Sequence, residues 1–184
     1  MTQEIKKKKN VQKQFFEVKA PLTSTKIMLY AGSSDELEGR TVKLDMSKNL
    51  RGKNLELVLR VKKTNEGLEA HPISSRLVSA YMRRMVRKGT DYVEDSFTTN
   101  CKDYSLIVKP FLITRKKVSR AVRNELRKST QEHLKGIMTP KTSLELFNDI
   151  MIGKIQKELS LKLKKIYPLA LCEIRIFEVV EKKE

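Results

Sequence analysis

Positively charged side chains are concentrated in the second half of the chain, between residues 115 and 135. This segment carries eight lysines and arginines against two glutamates, Glu125 and Glu132. Arginine can grip a phosphate through two parallel N–H bonds, and lysine binds it as a point charge, so these residues offer the chemistry of binding a phosphate-bearing polyanion. Like charges at i, i+4 spacing repel one another, and an anionic partner would relieve that repulsion. The cations are Arg115, Lys116, Lys117, Arg120, Arg123, Arg127, Lys128 and Lys135.

A helix is the element that would position these cations. Val118, Ala121, Val122 and Leu126 follow the i, i+3, i+4 rule, which predicts a narrow apolar stripe that docks on a sheet while the cations face outward. Residues 104–113, immediately before, are rich in β-branched and aromatic residues and predict a buried strand.

A second group of cations ends another predicted helix. Ser74 or Ser75 is a suitable N-cap, and Gly89 is a suitable residue to follow the last turn. Cations near a helix C-terminus also complement the helix dipole, but that effect is worth only ~0.3 to 1 kcal/mol per group, so we favour a phosphate-facing role. The apolar stripe of this helix would be Leu77, Tyr81 and Met85. Its cations are Arg83, Arg84, Arg87 and Lys88.

The first 14 residues predict a basic tail. They contain few apolar residues, so the segment is expected to be disordered by itself. Such tails often thread along phosphates, and a merely solubilising role is an equally open interpretation. The cations of the tail are Lys6, Lys7, Lys8, Lys9 and Lys13.

Strands dominate the first half of the remaining chain, and helices are segregated in the second. Strands are predicted at residues 15–21, 26–31, 41–46, 55–61, 68–71, 91–99, 104–113 and 170–180. Beyond the two basic helices, further ones are predicted at 144–151 and 152–166. This order predicts an α+β fold with a mainly antiparallel, barrel-like β core and three to four helices packed on it. We expect residues 15–184 to form a single domain after the tail.

Composition narrows the class of partner. The 184 residues hold 39 Lys and Arg against 22 Asp and Glu, a net charge of +17. A pI near 9.9 is typical of nucleic-acid-binding proteins, although membrane-surface proteins share it. The sequence has no apolar run typical of a secretory signal or a membrane span, so a soluble, intracellular protein is expected. The two distant cysteines indicate a reducing compartment.

Catalytic and metal-binding patterns are weak, so we expect neither an enzyme nor a cofactor. His71 and His133 have no neighbour at metal-ligand spacing and are interpreted as surface residues. Cys172 is expected in the core and Cys101 in an exposed turn. Residues 136–142 superficially resemble a phosphate-binding loop, but Pro140 lacks the N–H that such a loop needs.

Several motifs, in the right order, resemble one known family. The sequence is similar to the small-subunit ribosomal protein family of archaea and eukaryotes written e-S-one, formerly S-three-a. It departs from that family in a short loop at 30–37 and in the turn at 100–103, which lacks a Thr-Asp-Gly sequence. The stretches that carry the resemblance are 15–21, 37–40, 75–76, 95–113, 114–117, 152–154 and 166–169.

The resemblance implies a structural role on the platform of the small ribosomal subunit, near the messenger exit. The implied partners are small-subunit ribosomal RNA and neighbouring platform proteins, with an initiation factor and messenger RNA near the exit, and no membrane. The implied location is the cytoplasmic ribosome, with nucleolar assembly in a eukaryote. The alternatives are a free-standing regulatory or architectural nucleic-acid binder and, ranked last, a protein of anionic membrane surfaces.

Overall fold

The computed structural model describes residues 12–23, 26–48, 50, 52–65 and 67–180, which hold nine strands and four α-helices. The strands are β1 (Gln14–Val18), β2 (Ile27–Ala31), β3 (Thr41–Asp45), β4 (Leu55–Thr64), β5 (Gly67–Leu77), β6 (Tyr92–Glu94), β7 (Phe97–Asn100), β8 (Ser105–Thr114) and β9 (Leu169–Val180). The helices are α1 (Ser79–Met85), α2 (Arg120–Met138), α3 (Ser143–Ile152) and α4 (Lys154–Leu163).

The predicted α+β class with a mainly antiparallel sheet is confirmed. Seven strands form one sheet in the order β3-β4-β5-β9-β8-β6, and β7 also pairs with β8. Among the described residues, the two end strands of this path do not pair with each other, so the sheet is open rather than closed into a barrel. The strands β1 and β2 form a separate two-stranded sheet.

Residues cluster into two compact units, one within Met1–Val42 and Arg60–His71 and the other within Lys43–Leu59 and Pro72–Glu184. In the first unit, β1 and β2 pair with Phe15 opposite Tyr30 and Glu17 opposite Met28. Val18, Ile27 and Ala31 lie on the buried face. Lys19 bridges to the start of β5, where its N–H donates to the carbonyl of Leu68 at 3.0 Å.

The second unit is built around β8, which the sequence predicted as a buried strand. Seven of its ten residues are buried, because β9 pairs with one edge and β6 and β7 pair with the other. The buried residues are Leu106, Val108 and the five residues 110–114. The helix α4 packs on β9, and α2 packs on α4, β6 and β7. Phe147 of α3 meets Phe177 of β9 edge-to-face, with ring centroids 4.8 Å apart.

Two bulges set the register between β8 and β9. The pairing shifts at Lys109/Pro110 and again at Ile113/Thr114, which leaves Arg175 and Ala170 without a partner on β8. Pro110 cannot donate to the ladder, and proline within a sheet is tolerated at bulges. Strict alternation along residues 170–180 predicts Cys172, Ile174, Ile176 and Glu178 on one face of this strand. That was wrong, since the bulge at Arg175 changes the alternation and Ile174 and Phe177 are the buried residues.

The first basic helix begins later than predicted. Ser74 and Ser75 do not cap it, because they pair with Glu178 and Phe177 of β9 as part of β5. Tertiary pairing therefore overrides the local capping signal. The helix α1 has seven residues, so Arg87 and Lys88 lie beyond it, in the turn before Gly89, whose φ is +84°.

The central basic helix also differs at its start. Its N-cap is Ser119, whose hydroxyl accepts from Val122 N–H at 3.4 Å, so residues 115–117 form a loop rather than a helical turn. Ala121 is exposed, and the buried stripe is Leu126, Thr130, Leu134 and Met138. The apolar signal thus located the helix but placed its docked face one to two turns too early.

The predicted helix at 152–166 is broken at its start by Gly153. That residue has φ +80° and ends α3 through its N–H bond to Ile150, so α4 begins at Lys154 and Ile152 is exposed.

Cys101, expected in an exposed turn, is buried, and its thiol lies 3.1 Å from the carbonyl of Tyr104. The predicted tail falls largely outside the described residues, and a single domain over 15–184 stays a prediction.

Candidate nucleic-acid interface

Four of the predicted cations line cavities along one face of β8. Arg83, Arg87, Arg115 and Arg127 each line one of three adjoining cavities. Lys109 and Arg175, which the sequence did not predict as site residues, line them as well. We call these six residues and the surface between them the basic groove.

The groove follows every second residue of β8. Lys109 lines a cavity of about 510 Å³, Phe111 one of about 480 Å³ and Ile113 one of about 310 Å³. Alternate residues of a strand share a face and rise by about 3.4 Å each, so Lys109 and Ile113 are roughly 14 Å apart along the strand. Met82 and Val86 of the α1 region line the middle cavity, beside Tyr92.

Six cations and two carboxylates, Glu94 and Asp95, line the groove. Both carboxylates have partners: Arg175 donates to Glu94 at 2.9 Å, and the Gln131 amide donates to Asp95 at 2.7 Å. In the described part of the chain, Arg83, Arg87 and Arg127 make no ion pair within 4.0 Å. The groove therefore carries cations that its own carboxylates do not neutralise.

The loop that carries Arg115, Lys116 and Lys117 is held by buried Thr114. The Thr114 hydroxyl accepts from Asp91 N–H at 3.0 Å and lies 2.7 Å from the carbonyl oxygen of Lys116. The Asp91 carboxylate accepts from Val118 N–H at 3.0 Å. These bonds join the loop to the segment before β6, so the cations project from a braced backbone.

The remaining predicted cations lie outside the groove. Arg84 is exposed and lies 6.0 Å from the Tyr81 ring centroid, and the guanidinium Nε of half-buried Arg123 is buried without a hydrogen-bond partner. Burial raises the pKa of Tyr81, and Glu173 adds to that rise. Lys13, in the first unit, lies 5.9 Å from the Tyr30 ring centroid, and residues 6–9 lie outside the described ranges. The exposed cations with no such contact are Lys88, Lys116, Lys117, Arg120 and Lys128.

Lys109 and Arg175 each had a signal in the sequence. Each is a cation within a strand of otherwise mainly apolar residues, which places a charge on a face that must find water or a partner. A search for clusters of cations finds basic helices and tails, but it misses a single cation on a strand.

The histidines and cysteines do not form a second site. His133 is half-buried rather than on the surface, its Nδ1 lies 3.3 Å from Lys162 Nζ, and burial lowers its pKa. Burial raises the pKa of Cys172 to about 12. The described residues hold no group of three or more His, Cys, Asp and Glu side chains placed to hold a metal ion. No helix in the described ranges is long and apolar enough to cross a membrane.

Comparison with known proteins decides the family. Residues 2–183 match the pattern of the Ribosomal S3Ae family, which is nearly the whole chain. This chain belongs to the ribosomal S3Ae family. The family resemblance predicted from the sequence motifs is thereby confirmed.

Three archaeal relatives of this S3Ae chain carry the name "Small ribosomal subunit protein eS1". The protein of Methanothermobacter thermautotrophicus is 37% identical over 110 residues, which cover 59% of this chain and 56% of the relative. That of Haloarcula marismortui is 23% identical, covering 91% and 83% respectively. That of Nanoarchaeum equitans is 26% identical, covering 90% and 88%.

Proposed function

We propose that this chain is a structural constituent of the small ribosomal subunit and that it binds ribosomal RNA through the basic groove. The observation that carries the RNA contact is the groove itself, where six cations face two carboxylates that already have partners. Membership of the S3Ae family and the names of its archaeal relatives support the ribosomal assignment. The chain would act in translation, in the cytoplasm, without catalysing a reaction.

Phosphates and 2′-hydroxyls are what this surface would recognise. The major groove of A-form RNA is deep and narrow, so a protein holds duplex RNA mainly by its backbone and shape. Arg83, Arg115 and Arg127 would each bind a phosphate. Lys109 and Arg175 would lie beneath the RNA backbone. The exposed cations outside the groove, such as Arg120 and Lys128, would extend the contact along α2.

We also propose a position for this chain within the small subunit. The family resemblance supports a position on the platform near the messenger exit, beside other platform proteins, an initiation factor and messenger RNA. The basic residues Lys6, Lys7, Lys8, Lys9 and Lys13 would add further phosphate contacts.

The test compares two variants that lose the same charge. The groove variant carries Arg83→Gln, Arg115→Gln and Arg127→Gln, and the matched control carries Lys154→Gln, Lys157→Gln and Lys164→Gln in and after α4, where all three lysines are exposed. Each lost phosphate contact lowers the slope of log affinity against log salt by about 0.7 to 0.9, so the groove variant should lose about 2 to 3. The control should keep the wild-type slope.

Sedimentation of native lysate tests the assembly. We expect the wild-type protein to migrate with small subunits through moderate salt and the groove variant to be depleted from them. Equal incorporation of the groove variant and the control would exclude the groove as the RNA contact. Wild-type protein found only at the top of the gradient would favour a free-standing regulatory nucleic-acid binder instead.

A further inference from the structure

The outer face of the β1–β2 sheet, in the first unit, carries exposed aromatic rings. Phe15 and Tyr30 are cross-strand partners, with side chains 67% and 52% exposed and ring centroids 5.0 Å apart. Met28, which is two residues before Tyr30 and therefore on the same face, is 57% exposed. The outward face of a half-buried sheet is normally polar, so this exposed apolar surface needs an explanation.

Cations surround the two rings. Lys13 Nζ lies 5.9 Å from the Tyr30 ring centroid, and the Arg40 guanidinium donates to the Tyr30 carbonyl at 3.2 Å. Lys26, at the start of β2, pairs with Glu17 at 3.2 Å. Lys26 and Glu17 offset each other, whereas Lys13 and Arg40 make no ion pair within 4.0 Å among the described residues. The two cations favour a polyanion over an apolar protein segment.

We propose that Phe15 and Tyr30 form a stacking platform for unpaired bases of RNA, with Lys13 and Arg40 on the flanking phosphates. Bases stack on exposed aromatic rings regardless of sequence, and cations alongside follow the backbone. The proposal rests on the proposed RNA-binding function and extends it to a single-stranded segment, which the basic groove does not select for. Neither residue was predicted as a site residue from the sequence.

A tryptophan placed at position 15 reports on the platform directly. The chain has no tryptophan, so the Phe15→Trp variant has a single indole at that position. We expect a single-stranded oligoadenylate to quench and shift its emission, because the base stacks on the indole. A duplex RNA of the same length, added at the same phosphate concentration, should leave the emission unchanged.

Affinity measurements supply the second test. The Phe15→Leu/Tyr30→Leu double variant keeps apolar side chains but lacks ring faces, and it should bind the single strand about tenfold more weakly. Its affinity for duplex RNA should match that of the wild type. The Tyr30→Phe variant keeps the ring and should bind both RNAs as the wild type does.

The outcomes separate this proposal from the proposed function. Loss of RNA binding in the groove variant, with unchanged single-strand affinity in the double variant, overturns the stacking platform and leaves the groove standing. An absence of quenching in Phe15→Trp overturns the platform as well. Unchanged RNA affinity with lowered incorporation of the double variant into subunits would assign this face to a protein neighbour instead.

Discussion

Removal of Lys53 should strongly destabilise the second unit. Lys53 Nζ lies 2.6 Å from the Glu173 carboxylate, and the two side chains are only 19% and 12% exposed. Burial raises the pKa of Glu173, and Lys53 and the Gln156 amide oppose that rise. The Lys53→Met change would leave a buried carboxylate without its cation, which costs about 3 to 5 kcal/mol. Because Gln156 stays, we expect the lower end, about 3 kcal/mol.

Urea denaturation followed by circular dichroism measures this loss. With a urea dependence of about 2 kcal/mol per molar, a loss of 3 kcal/mol lowers the midpoint by about 1.5 M. The matched control is Lys63→Met, since Lys63 lies at the same 2.6 Å from Asp35 but that pair is 51% and 74% exposed. The midpoint of the control should not move measurably, because exposed ion pairs contribute little.

The pH dependence distinguishes a buried charge from lost packing. A carboxyl group whose folded-state pKa is raised favours folding at low pH, and that contribution is lost as pH rises through the folded-state pKa. Without Lys53 the Glu173 pKa rises further, so the deficit of Lys53→Met should shrink as pH falls from about 7 to about 5. The Lys53→Met/Glu173→Gln variant should recover most of the loss at neutral pH. A deficit independent of pH, or a double variant less stable than Lys53→Met, would refute the assignment.

Two further predictions concern Gly153 and Cys172. Gly153→Ala should lower the free energy of unfolding, measured by urea denaturation, by about 1 to 2 kcal/mol, because φ is +80° and a Cβ there would meet no heavy atom within 4 Å, so the cost comes from the backbone alone. Gly153→Asn should cost less, and an equal cost for both variants would contradict the backbone explanation. Cys172 should resist iodoacetamide at pH 8 in the folded protein and react once urea unfolds it, because a pKa of about 12 leaves about one thiol in ten thousand ionised. Mass spectrometry of the labelled peptide measures the extent of reaction, and rapid labelling of the folded protein would count against the raised pKa.

Alternation and turn signals located most of the sheet. Leu55, Leu57, Leu59 and Val61 alternate along β4 and are all buried. The apolar run of β8 was also predicted. The single strand predicted at 91–99 is two strands, β6 and β7, and both pair with β8. The errors lie where long-range pairing competes with local signals, as at Ser74 and Ser75.

The candidate site was predicted only in part, because its residues are brought together by long-range pairing. Cation density located Arg83, Arg87, Arg115 and Arg127, but it could not show that they line one face of β8. That juxtaposition comes from the pairing of β8 with β6, which joins residues about 20 positions apart in sequence, and with β9, which joins residues about 55 to 75 positions apart. The exposure of Phe15 and Tyr30 was equally hidden, since aromatic residues in a strand are more often core.

The bulge at Arg175 makes this position dispensable for strand pairing. Arg175 has no partner on β8, so changing its side chain need not disturb the ladder. Its deletion would also keep the pairs, because Ile174 and Ile176 already pair with the neighbouring residues Pro110 and Lys109. We therefore expect the sheet to tolerate both substitution and deletion of Arg175, while either change removes the cation and weakens RNA binding.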